Sequence, residues 1–151
     1  MIKKIVCAKD FEKVWRDLDL LFKKENSKYG HQFLNISAQS VIDSFAHDSL
    51  LNNSIHCWAN FENGVADGTI MFADSIQPFL NKRIFIEYFW ISANPQKSIS
   101  LYKRAAAFAK EKKIEYIIMN CVENHPCSLK LKKTYQKLGF KKDSESYIKQ
   151  L

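Results

Sequence analysis

The 151-residue sequence predicts one α/β domain over residues 1–151, a mixed, mostly antiparallel sheet flanked by about four helices. Three observations carry this. Phe11, Val14, Trp15, Leu18, Leu21 and Phe22 follow the 3/4 spacing of an amphipathic helix. Asn63-Gly64 between two apolar runs is a strong two-residue hairpin signal. A helical pattern between the apolar runs at 84–91 and 115–122 makes a strand–helix–strand crossover, which implies parallel pairing in a sheet that also contains an antiparallel hairpin. No internal repeat and no second domain appears.

Taken in order, the elements read β-α-α-β-β-β-α-β-α-β. Ile2–Cys7 is a short strand, and Asp10 is placed to cap the first helix, with Lys23 and Lys24 at its C-terminal dipole. Asn26–His31 is a polar linker. Ser37 opens a second helix through Val41, Ile42, Phe45 and Leu50, ending near Asn52-Asn53. The hairpin strands are Ser54–Phe61 and Val65–Phe72, with Gly68 as a bulge or a site of close approach. After a loop containing Pro78 comes the strand Arg83–Ile91, and Pro95 closes the loop behind it. Leu101, Ala105, Phe108 and Ala109 define a helix from Lys97 to Lys113, followed by the strand Glu115–Val122. Pro126 opens the last helix, with Leu131, Tyr135 and Leu138 inward and Gly139 as its left-handed stop, and Phe140–Leu151 supplies one or two closing strands.

Composition narrows the function classes. An apolar content of 46% with 26% charged residues excludes disorder as the main state, and the longest apolar runs are too short and too interrupted to span a membrane. With no signal-peptide pattern after Met1, the reading is a soluble cytoplasmic chain with no membrane partner. Its cysteines, Cys7, Cys57, Cys121 and Cys127, then read as reduced core or near-core thiols. Cys121, His125 and Cys127 lack the fourth ligand and the paired spacing of a zinc site, so no metal is expected. The net charge of +7 is unevenly placed: residues 1–96 hold 10 Lys/Arg against 11 Asp/Glu, and residues 97–151 hold 13 against 5. Such a field favours an anionic partner, or serves only as a solvated surface. Nucleic acid is disfavoured, because Lys130, Lys132, Lys133, Lys137, Lys141 and Lys142 are not interleaved with aromatic platforms and arginine is scarce.

The segment Ser128-Leu-Lys-Leu-Lys-Lys-Thr-Tyr135-Gln-Lys-Leu-Gly139-Phe140, the Asn63-Gly64 hairpin followed by Gly68, and Glu87-Tyr-Phe-Trp-Ile91 with Pro95 and a helix ending Ala109-Lys110 together resemble the GNAT (Gcn5-related) N-acetyltransferase family. The resemblance covers most of the chain, and the final strand resembles small phage-type members. It implies an acyl-CoA N-acyltransferase-like fold and acetyl transfer from acetyl-CoA to a primary amine, on a small molecule or a protein. It also implies roles for particular residues. Phe89, Trp90 and Ile91 match the strand that binds the pantetheine arm and offers a main-chain N–H to the developing oxyanion. Glu87 is the matching general base, directly or through water, and Tyr135 the matching proton donor to the leaving thiolate. Ser128 matches a pantetheine contact.

The pyrophosphate loop departs from the family pattern. Asn94-Pro-Gln96-Lys97-Ser98-Ile99-Ser100 contains no glycine, so Gln96, Lys97, Ser98 and Ser100 are left to hold phosphates through side chains while their Cβ atoms restrict a left-handed nest. A catalytically inactive GNAT-fold binding or regulatory protein is therefore the alternative, with a basic nucleic-acid-binding module third. The acceptor cannot be read from the near-neutral first two helices, although His31 and His47 lie there. A homodimer built on a strand from the C-terminal segment is compatible with the sheet.

Overall fold

A computed structural model describes residues 1–29, 37–45, 54–120 and 128–142. The elements are β1 (Ile2–Ile5), α1 (Ala8–Tyr29), α2 (Ala38–Phe45), β2 (Ile55–Glu62), β3 (Val65–Gln77), β4 (Lys82–Ser92), α3 (Pro95–Glu111), β5 (Tyr116–Ile118) and α4 (Ser128–Lys137). The strands form one sheet in the order β1-β2-β3-β4-β5, antiparallel except for the parallel β4–β5 pair. The mixed sheet, the hairpin and the crossover thus have the predicted form. Of the expected closing segment Phe140–Leu151, residues 140–142 are not in a strand and 143–151 lie outside the described residues, as do Leu50, Pro126, His31, His47, Cys121, His125 and Cys127. Among the described residues no helix is long and apolar enough to cross a membrane.

The sheet is covered on both faces. On one, α1 sets Phe11, Val14, Trp15, Leu18 and Phe22 against Ile5, Cys57, Ala59 and Met71, with α2 contributing Val41 and Ile42. On the other, Leu101, Ala105 and Ala109 of α3 pack on Trp58, Ile70, Phe72 and Phe85. Small residues at two of those three helix positions let α3 lie close to the sheet. Each large side chain buried this way contributes about 1.5–3 kcal/mol.

Several boundaries differ from the sequence reading for local reasons. Strand β1 ends at Ile5, because the Cys7 carbonyl already accepts the Phe11 N–H at 3.1 Å and opens α1. Cys7 is consequently exposed, and of the expected core thiols described here only Cys57 is buried. Asp10 sits inside the first turn of α1 instead of capping it, where its carboxylate still complements the dipole. Pro95 does not close a loop; it occupies the first turn of α3, with Asn94 as the N-cap, so the helix starts two residues before Lys97. Strand β3 runs five residues past Phe72, held by pairs from Ala73↔Ile86 to Gln77↔Lys82. Asn63 (φ 50°) and Gly64 (φ 81°) adopt the left-handed conformations that a tight hairpin requires. Gly139 (φ 88°) ends α4, and the Phe140 N–H returns to the Tyr135 carbonyl at 2.9 Å.

Gly68 is a site of close approach. A Cβ there would lie 2.8 Å from Ser92 Oγ and 2.9 Å from Ser92 Cβ. That hydroxyl donates to the Asn94 carbonyl at 2.9 Å and accepts the Asn94 N–H at 3.2 Å, so crowding it disturbs the turn into α3. Gly68→Ala is expected to destabilise the protein by about 1–3 kcal/mol in urea unfolding, with part of the loss recovered in a Gly68→Ala/Ser92→Gly double variant.

Candidate active site

The register of β4 changes in mid-strand. Met71 pairs with Phe89 and Phe72 with Glu87, which leaves Tyr88 as the extra residue of a β-bulge. The bulge resets which face each side chain meets. Phe89 enters the α1 layer, 5.1 Å from the Trp15 ring and 6.1 Å from Phe22, and Tyr88 lies 5.6 Å from Phe45 of α2. Trp90 turns to the opposite layer, stacked on Tyr135 at 6.2 Å and tilted against Tyr102 at 6.0 Å.

Just before the bulge, the β4–β5 ladder stops. Its parallel pairs run from Ile84↔Tyr116 to Ile86↔Ile118, and among the described residues no later pair joins the two strands. Asn120 takes over. Its main-chain N–H donates to Glu87 Oε2 at 2.9 Å, and its side-chain Nδ2 donates to the Glu87 carbonyl at 2.6 Å. The Tyr135 hydroxyl donates to the Asn120 carbonyl at 2.8 Å. Glu87 on β4 and Tyr135 on α4 are thus joined through one residue, at the point where β4 parts from β5. Past that point the β4 edge carries Phe89, Trp90 and Ile91, the strand an extended amide chain would have to pair with.

Glu87 is only 8% exposed. Burial pushes its carboxyl up to about 7, against a smaller downward pull from the Asn120 N–H. No cation is hydrogen-bonded to it among the described residues. A carboxyl titrating near neutrality can take up and release a proton at working pH.

The first two turns of α3 hold Gln96, Lys97, Ser98 and Ser100. Asn94 Oδ1 accepts the N–H groups of Gln96 at 2.9 Å and Lys97 at 3.3 Å, and the Asn94 carbonyl accepts that of Ser98 at 3.0 Å. Lys97 Nζ reaches back to the β2–β3 hairpin, 2.7 Å from Glu62 Oε2 and 2.9 Å from Asp67 Oδ2. The bonds to Glu62 and Asp67 hold the Lys97 ammonium above its ordinary range. Burial works to raise the Asp67 carboxyl, but the bonds from Lys97 and Asn60 outweigh it and hold the group low. Asp67 is itself a bulge residue, unpaired between Asn60↔Gly68 and Phe61↔Ala66. Ser128 begins α4, and its side chain lies outside the described residues.

The sequence reading therefore named Glu87 and Tyr135 but missed the residue that links them, Asn120, and the residue that caps α3, Asn94. The Asn94-Pro95 dipeptide is a helix-start signal that was available. Asn120 had no local signal, since its role depends on a strand 33 residues away.

The described sheet carries helices on both faces, and the parallel β4–β5 pair at its end parts beside the buried Glu87 carboxyl. No protein-family model and no curated protein matches the sequence. Solved structures match it over the whole chain. A ribosomal-protein-alanine N-acetyltransferase from Brucella melitensis biovar Abortus 2308 aligns with a TM-score of 0.71 at 14% identity, covering 100% of this chain and 99% of that one. A predicted acetyltransferase with acetyl-CoA from Clostridium acetobutylicum gives 0.70 at 19% identity, covering 100% and 96%. An aminoglycoside acetyltransferase from an uncultured soil metagenomic sample, in complex with sisomicin, gives 0.68 at 11% identity, covering 100% and 96%. The chain has the GNAT acetyltransferase fold along its full length.

Proposed function

We propose that the protein transfers an acyl group, acetyl in the simplest case, from a pantetheine thioester such as acetyl-CoA to a primary amine. The observation that carries this reading is the Glu87–Asn120–Tyr135 chain at the parting of β4 and β5. In the reaction the amine nitrogen attacks the thioester carbonyl, forming C–N as C–S breaks. The Glu87 carboxylate takes the proton that the amine loses, directly or through water, and the Tyr135 hydroxyl supplies one to the departing thiolate. The N–H groups of the Phe89–Ile91 edge are the candidate donors to the carbonyl oxygen as charge builds on it. The names of the neighbours favour small-molecule or protein amines as acceptors, since one acts on a ribosomal protein and others on aminoglycosides. A second reading, a binding protein of this fold without transfer, is favoured by the self-capped first turn of α3.

The test is acetyl transfer from a thioester to a panel of amines, comprising polyamines, aminoglycosides and peptide N-termini. Transfer to any of them, reduced about 10-fold to 100-fold in kcat by Tyr135→Phe with KM for the donor little changed, is the expected result. Binding of thioester without transfer to any amine would favour the second reading.

A further inference from the structure

Phe89, Trp90 and Ile91 lead along β4 through Ser92 to Asn94 and the first turn of α3. An extended arm laid on this edge therefore ends at that helix terminus. A diphosphate arriving there needs main-chain N–H groups and cations turned toward it. Among the described residues the terminus offers neither. Pro95 has no N–H, and those of Gln96, Lys97 and Ser98 are all taken by Asn94, two by its side-chain oxygen and one by its carbonyl. Asn94 is in turn fixed by Ser92, through bonds of 2.9 and 3.2 Å. The ammonium of that first turn, Lys97, is held by Glu62 and Asp67, and those two carboxylates oppose a second anion. The coenzyme A nucleotide end thus does not fit this terminus, whereas the β4 edge past Ile86 has no β5 pair among the described residues.

We infer that the donor is recognised by its pantetheine arm, and that Asn94, with the Lys97 clamp of Glu62 and Asp67, is the specificity element that shuts the phosphate seat. The inference rests on the acyl-transfer reading and names its donor class: pantetheine thioesters, whatever the far end of the arm is attached to. A nucleotide at that end adds little to binding.

Calorimetry on the intact protein with coenzyme A and with pantetheine separates the cases. The expected result is two dissociation constants less than about tenfold apart. A preference for coenzyme A of about tenfold or more overturns the inference and leaves the acyl-transfer reading standing. Failure of both to bind overturns both. Asn94→Ala frees the Gln96 and Lys97 N–H groups and is expected to shift the ratio toward coenzyme A by about tenfold. Glu62→Gln, at an exposed carboxylate, leaves the cap intact while loosening Lys97, and is expected to move the ratio the same way by about threefold. An unmoved ratio in both variants overturns the role given to Asn94 and the clamp.

Discussion

Glu87→Gln is expected to lower kcat/KM for acyl transfer by about 10²–10⁴-fold, the usual loss on removing a general base. Gln keeps an oxygen for the Asn120 N–H, so the geometry survives while the proton acceptor is lost. The pH profile carries the same signature. With its carboxyl raised to about 7, wild-type activity falls about tenfold per pH unit below neutrality and levels off above it, and the variant loses that acid limb. Stability moves in the opposite direction. Well below the ordinary carboxyl value of 4.5, folded and unfolded chains both hold the proton. Between there and about 7 the folded state holds more, so this group's contribution to stability declines as pH rises through the window. Above it the fold carries an ionised buried carboxylate. Glu87→Gln should therefore gain about 2 kcal/mol relative to wild type between about pH 5 and about pH 9 in urea unfolding. A base essential to activity and costly to stability at the same pH is what a functional site predicts and a structural ion pair does not.

How far the sequence carries such a site depends on whether its physics is local. The Asn63-Gly64 turn, the α1 stripe and the Gly139 stop are set by neighbouring residues, and all three have their predicted form. The bulge at Tyr88 had no such signal. From Ile84 to Ile91 the strand is apolar on both faces except at Glu87, so there is no polar–apolar alternation for an extra residue to break. The clamp on Lys97 was equally hidden, since Glu62 and Asp67 lie 35 and 30 residues away in sequence. The basic excess of the last third suggested lysines free to meet phosphate. The one at the start of α3 is instead committed to the hairpin, and that changes what its charge can do.

The bulge also explains why the most damaging core substitution should be felt at the site. Trp15 is fully buried, and its ring stands edge-on to Phe89 at 5.1 Å, beside Phe22 at 4.9 Å and Phe11 at 5.9 Å. Trp15→Ala should cost about 3–5 kcal/mol, through the lost burial and the cavity left behind. Because Phe89 then loses the surface that holds it in the α1 layer, the donor KM should rise as well. Trp15→Phe separates two opposed terms. Among the described residues the buried indole N–H of Trp15 has no hydrogen-bond partner, a situation that costs about 1–3 kcal/mol. Phe removes that donor while leaving a smaller void, so the net change should stay within about 1.5 kcal/mol of wild type, with donor KM preserved by the remaining ring against Phe89. Urea unfolding and donor kinetics on both variants check the pair. Equal losses from Phe and Ala would mean that the N–H costs nothing and that the indole's full volume supports the bulge. A near-neutral Phe beside a damaging Ala would mean that one aromatic ring is enough to hold β4 in its split register.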